Sequence, residues 1–290
     1  MRVPIVRSIL IASFASVLAA GPARAEELKK VAERLVPFTS GGEIRIDDKN
    51  GRLVVDAWSR HDVRIQITRV ARARDRAKAE ELMKDLQSEV EVEKDRIDIR
   101  SLFPKRLESM GLLDIFGRNR TAVSINYYVQ VPEETDLWLQ TTNGEVRVQG
   151  TTGHLEARTT NGGVQVSDVK GTVTLQTTNG EVHVTNVTGA ASAHTTNGSV
   201  VAELRKLPAS GAVDLQTMNG NVEAYFDNDL SANLDATTTN GHVSIDFPVT
   251  TSVLRSSRTI QGTIQGGGAK IVIQTTNGNV EVRRLGGRRR

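Results

Sequence analysis

Asn-Gly recurs seven times from residue 143 onward, at Asn143-Gly144, Asn161-Gly162, Asn179-Gly180, Asn197-Gly198, Asn219-Gly220, Asn240-Gly241 and Asn277-Gly278. Successive intervals are 18, 18, 18, 22, 21 and 37 residues, the last close to two units. Each pair follows Thr-Thr, except where Thr217-Met218 stands. A fixed short period overrides the domain count that length alone suggests and marks a repeat architecture.

The flanks of each corner alternate with period two, as half-buried strands do. After the corners the inward residues are small and apolar: Val146/Val148, Val164/Val166, Val182/Val184, Val200/Ala202, Val222/Ala224, Val243/Ile245 and Val280/Val282. Before the corners a second strand does the same, from Leu137/Leu139 and Leu155/Ala157 to Ile271/Ile273. One unit is therefore two short strands and two turns. Asn-Gly suits a type I′ hairpin, so an antiparallel meander is possible. Alternatively each unit is one coil of a parallel β-helix-like solenoid, with Asn-Gly as a corner of positive φ. The solenoid is the favoured reading. It explains why every second turn is identical, because equivalent Thr and Asn side chains then stack rung upon rung about 4.8 Å apart. The fold class expected is all-β, a solenoid of about 18-residue, two-strand coils.

The segment before the repeats carries the same grammar in weaker form. Asn50-Gly51 precedes Leu53 and Val55, and Val63, Ile65 and Ile67 continue an alternating strand. Ala73 to Gln87 reads as an amphipathic helix that caps one open end. This divides the chain into a leader over 1–25, a lead segment over 26–39, a β region over 40–135, the regular repeats over 136–284 and a basic tail over 285–290. Residues 246–270 are expected to form one irregular coil containing Gly262 and Gly266 to Gly268.

The leader has Arg2 and Arg7, an apolar stretch from Ile9 to Ala20, and Ala23-Arg24-Ala25 before Glu26. That is the pattern of a secretory signal peptide, too short to span a membrane comfortably. Export to the periplasm or the cell surface is the expectation. The chain has 37 Lys+Arg against 34 Asp+Glu. Removing the three leader arginines leaves 34 of each, so no global nucleic-acid footprint is expected. There is no cysteine, hence no disulfide and no thiolate metal site, and repetition must supply the stability.

The order of features is familiar: an exported leader, Asn50-Gly51-x-Leu53-x-Val55, Trp58, a helical insert, Tyr128-Val-Gln-Val-Pro132, then serial Thr-Thr-Asn-Gly-x-Val-x-Val units. Over roughly residues 40–283 the chain resembles the bacterial adhesin-like family of unknown function related to the toast-rack domains of envelope-stress proteins. The resemblance implies a β-solenoid-like fold in an envelope setting and supplies no catalytic motif.

An enzyme on such a frame would need convergent carboxylates. The first outward column, Glu145, Gly163, Glu181, Ser199, Asn221, His242 and Asn279, places no two acids on adjacent rungs in chain order. The next column ends Glu223, Ser244 and Glu281, equally mixed. The five histidines show no metal-type spacing. No catalytic residue, cofactor or metal site is expected. Paired Thr side chains point to opposite faces, which argues against a flat ice-binding array. The remaining candidate is the loop 101–120, where Leu102, Phe103, Leu112, Leu113, Ile115 and Phe116 lie beside Lys105, Arg106, Arg118 and Arg120. It either folds over the end of the repeats or touches a partner or an anionic membrane. The function expected is binding, adhesion or scaffolding, with a periplasmic sensor as the alternative. The partner is expected to be an envelope protein, lipid or polysaccharide, met by a monomer.

Overall fold

The computed structural model describes residues 26–103 and 121–286. The N-terminal part runs β1 (Glu26–Pro37), β2 (Gly42–Asp47), β3 (Leu53–Trp58), β4 (Asp62–Ala73), α1 (Arg76–Asp85), β5 (Gln87–Val92), β6 (Arg96–Leu102) and β7 (Ala122–Pro132). The repeats come after it. β8 (Thr135–Gln140) and β9 (Val146–Gln149) flank Asn143; β10 (Thr152–Arg158) and β11 (Val164–Ser167) flank Asn161. β12 (Lys170–Gln176) leads to Asn179, and the long β13 (Val182–Asn197) leaves that corner and reaches the next, before β14 (Val200–Arg205). β15 (Ala212–Asn219) and β16 (Val222–Phe226) come next, then β17 (Ala232–Asn240) and β18 (Val243–Ile245). β19 (Thr250–Arg255) and β20 (Thr259–Ile264) precede β21 (Ala269–Asn277) and β22 (Val280–Arg284). The result is all-β with one short helix, a mostly parallel sheet that curves into a nearly closed barrel shape.

The register between units is parallel. Leu155 lies between Leu137 and Val173, and Val164 lies between Val146 and Val182. A hairpin meander would instead pair each strand antiparallel with its chain neighbour. Strands before the corners build one ladder and strands after them build another. Between the two ladders run files of buried apolar residues, such as Leu139, Ala157, Leu175 and Ala193 on one and Val148, Val166 and Val184 on the other. Alternating Leu and Ala along a file keeps the thin core filled.

Chain order and stacking order differ at both ends. β21 and β22 insert between β15/β16 and β17/β18, so the sequence of rungs is Asn219, Asn277, Asn240. At the other end β2 lies between β6 and β8, and β3 lies between β7 and β9. Asn50 thereby stacks on Asn143. The segment 246–270, expected as one coil, is not a coil. β20 runs antiparallel along β17, and β19 runs antiparallel along β20. This hairpin extends the outermost rung while the chain returns to complete an inner one.

The lead segment 26–39 folds as β1, antiparallel to β4 over twelve paired positions. The helix is shorter than expected because β4 continues to Ala73 and Asp75 is the N-cap of α1. The Asp75 side chain accepts a hydrogen bond from the Lys78 backbone N–H at 2.8 Å, which satisfies one of the open donors of the first turn. Ion pairs Arg76–Glu80 and Lys78–Glu81 line the exposed face, while Ala79, Leu82 and Met83 are buried. Helix α1 packs on β4 and β1 at the N-terminal end of the sheet.

Candidate functional site

Each corner is closed by three side-chain and backbone devices. The first Thr of the motif is buried and its hydroxyl donates to the glycine carbonyl of the neighbouring corner: Thr159 to Gly144 at 3.0 Å, Thr177 to Gly162 at 2.9 Å, Thr195 to Gly180 at 3.0 Å and Thr217 to Gly198 at 2.8 Å. Thr275 and Thr238 do the same to Gly220 and Gly278. The second Thr faces solvent, and its column includes exposed Met218.

The asparagines form a continuous side-chain ladder. Asn240 donates to Asn277, Asn277 to Asn219, Asn219 to Asn197, and so on through Asn179 and Asn161 to Asn143, all at 2.8–2.9 Å. The six amides point the same way, so each bond polarises the next. Asn143 then donates to the Lys49 carbonyl and Asn50 to that of Val123.

Glycine is required here for space at every corner, and at three corners for φ as well. A Cβ on Gly162, Gly180, Gly198, Gly220 or Gly278 would lie 2.0–2.1 Å from the carbonyl oxygen of the adjacent corner glycine, and on Gly144 or Gly241 closer still. Gly144, Gly180, Gly220 and Gly241 do not have positive φ, whereas Gly162, Gly198 and Gly278 sit at 158°, 151° and 153°, which L side chains rarely adopt. The expected positive-φ corner is thus present at three of the seven Asn-Gly pairs. The other turn of the unit holds the left-handed residues Gly150, Asp168, Asn186 and Lys206, with φ of 80°, 57°, 54° and 48°. There Asn186 donates to Asp168 at 2.6 Å.

Asp48 occupies the buried Thr position of the first coil, since Asp48-Lys-Asn-Gly51 stacks on Thr141-Thr-Asn-Gly144. It is 2% exposed, Thr141 reaches its Oδ2 at 3.5 Å, and its Oδ1 has no partner among the described residues. Burial pushes its carboxyl up to about 6, against hydrogen bonds from Ser101 and the Lys49 and Asn50 backbone. Beside it the buried Tyr127 hydroxyl meets Ser88 at 2.8 Å and Ser101 at 2.7 Å, and burial pushes it up to about 12. Neither residue stands out in the sequence, although aligning Asp48 with the Thr column shows an acid at an inward position.

On the outer face of the first rungs lies a groove of about 630 Å³, lined by Lys29, Arg52, Thr68, Asn126, Tyr128 and Glu145 together with the Asn50 and Asn143 corners. Arg52 pairs with Glu145 at 3.0 Å, and its backbone N–H donates to Asn126 Oδ1 at 2.9 Å. Burial and a hydrogen bond to Asp56 hold the Tyr128 phenol above its ordinary value. Two cations, amides and a fixed aromatic ring therefore border one open depression. Its named residues come from β1, β4 and β7 and from the corners leading into β3 and β9, which no sequence spacing brings together.

The altered stacking order does bring two acids together: Glu223 lies beside Glu281. Each is engaged on its own strand, Glu223 by the Tyr225 hydroxyl at 2.8 Å and Glu281 by Arg283. Gln216 and Gln274 are also neighbours, yet Gln216 donates to Asp214 instead. Among the described residues no group of three or more His, Asp or Glu could hold a metal ion. Of the loop candidates, Leu102 ends β6 and is exposed, and Phe103 packs against the core. Leu112, Leu113, Ile115 and Phe116 lie outside the described residues.

These features define an all-β repeat protein whose units are tied together by Thr and Asn ladders. The chain belongs to the Toastrack DUF4097 family, whose model matches residues 119–283. A comparison with curated proteins gives no match. Among solved structures, a candidate adhesin of Bacteroides fragilis is 13% identical with a TM-score of 0.40, covering 88% of this chain and 97% of that one. A candidate cell-adhesion protein of Clostridium sporogenes is 10% identical with a TM-score of 0.35, covering 90% and 100%. A candidate lipid-binding protein of Parabacteroides distasonis is 10% identical with a TM-score of 0.29, covering 88% and 96%.

Proposed function

We propose that this chain is an exported, non-enzymatic binding module of the cell envelope, a rigid β-solenoid that presents the groove at its N-terminal end to a polar envelope polymer. The observation that carries this reading is the division of labour between the ladders and the groove. Corner amides and hydroxyls are consumed by neighbouring rungs, so they hold the body rigid, whereas the Arg52–Glu145 pair, Asn126 and Tyr128 are held in place around a depression open to solvent. Pre-organised polar groups around an aromatic ring suit a hydroxylated or anionic polymer, because little ordering remains for binding to cost. The leader pattern ending at Ala25 supports export.

The test is pull-down of the full-length chain by isolated envelope polysaccharide, compared with Arg52→Glu and Tyr128→Ala. Binding by the parent and its loss in both variants supports the reading; equal binding by all three moves the site elsewhere. Deleting residues 101–120 tests the second reading, a membrane- or partner-touching loop on a sensor module, which requires envelope association to fall with the loop.

A further inference from the structure

Among the described residues the two ladders end in four edge strands: β1 and β5 at the N-terminal end, β18 and β19 at the other. β18 has three residues, β5 and β19 six each, and β1 twelve. A long open edge invites pairing with another chain. The free groups on β1 can be assigned from its register. Phe38 N–H donates to the His61 carbonyl, in line with the β1–β4 pairing, so even-numbered residues aim their backbone groups at β4. In an antiparallel ladder that direction alternates. Glu27, Lys29, Val31, Glu33 and Leu35 therefore present their N–H and C=O at the open edge. Val31 and Leu35 are also two of the four large apolar side chains exposed among the described residues.

We infer that β1 pairs antiparallel with β1 of a second copy of this chain, about a two-fold axis at Val31. The sequence of the strand selects this register. With Val31 opposite itself, Lys29 faces the partner's Glu33, and the partner's Lys29 faces Glu33 in turn. Lys30 then meets Ala32, Leu28 meets Arg34, and no like charges stand opposite one another. Centring on Lys29, Lys30, Glu33 or Arg34 sets a charge against itself, and centring on Ala32 sets Lys30 against Arg34. Centring on Leu28 or Leu35 overlaps only residues 26–30 or 33–37. Directly opposite charges stabilise a strand pair and like charges oppose it. Arg64 already holds Glu33 through both oxygens at 2.8 Å and keeps its carboxyl below the usual range. Pairing would thus complete an Arg64–Glu33–Lys29 chain across the interface. The expected monomer becomes a dimer with one sheet running through both copies.

The absence of cysteine makes the register directly readable. Directly opposite residues in an antiparallel pair have Cα atoms about 4.5–5.5 Å apart, within disulfide reach. Sedimentation equilibrium of the full chain should give twice the monomer mass. Under mild oxidation Val31→Cys should form a cross-linked dimer, and Leu35→Cys, which faces the partner's Glu27, should not. Val31→Lys places two ammonium groups on the axis and should return the monomer mass, with an unchanged unfolding midpoint confirming the fold. A monomeric parent chain overturns the inference. So does a dimer in which Leu35→Cys cross-links as readily as Val31→Cys, or one that survives Val31→Lys.

Discussion

Replacing Gly180 by Ala isolates the reason for the Asn-Gly corner. The added Cβ would lie 2.0 Å from the Gly162 carbonyl oxygen, 2.5 Å from its carbon and 2.9 Å from Gly163 N. The oxygen contact is short by more than 1 Å of any van der Waals distance, so adjacent rungs must separate. Three bonds cross this junction: Gly162 N–H to the Asn179 carbonyl, Thr177 to the Gly162 carbonyl, and Asn179 to Asn161, each 2.9 Å. At about 1 kcal/mol each they sum to about 3 kcal/mol. Residual overpacking adds about 1–3 kcal/mol, giving a loss of about 4–6 kcal/mol. Gly41 is the control, with φ of 79° and nothing within 4 Å of an added Cβ. Its replacement by Ala should cost only the left-handed strain, about 1–2 kcal/mol. Urea unfolding monitored by far-ultraviolet circular dichroism compares the two. The steric account fails if Gly180→Ala costs no more than Gly41→Ala, or if Asn at position 180, a residue that tolerates positive φ, restores stability.

Three further outcomes rest on the same geometry. Thr177→Val should cost about 1 kcal/mol through the lost bond to Gly162, while Thr178→Val on the exposed side should change the urea midpoint little. Asp75→Ala removes the helix cap and should cost about 1 kcal/mol in the same assay. Asp48 has a folded-state value raised from 3.8 to about 6, so its contribution is fully present below pH 4 and is lost as pH rises through 6. The loss is on the order of 3 kcal/mol. Asp48→Thr, which restores the residue type of the column, should raise stability at pH 7 and abolish that slope between pH 4 and 6.

The repeats are legible because period-two alternation and identical corners recur at fixed spacing, which only parallel stacking makes necessary. The order of the outer rungs is not. Interval lengths near Asn240 and Asn277 do not say which coil lies outside, and the return of β21 is decided by long-range pairing. β1 is hidden because Glu-Glu-Leu-Lys-Lys-Val-Ala-Glu-Arg lacks an alternating apolar face; its strand conformation comes from β4, whose Ile65 and Ile67 are buried beneath the sheet. Asn-Gly does not say which corners need positive φ because it satisfies two different demands, a positive-φ backbone at Gly162, Gly198 and Gly278 and a close approach at all seven corners. The groove is invisible for a simpler reason: its six side chains come from three strands and two corners far apart in the sequence.

Export is the central claim, and intact-mass analysis of the protein recovered from the periplasmic fraction tests it most directly. The account predicts a chain beginning at Glu26, with residues 1–25 removed. Recovery of the chain from the cytoplasm alone, with Met1 to Ala25 still attached, would contradict it.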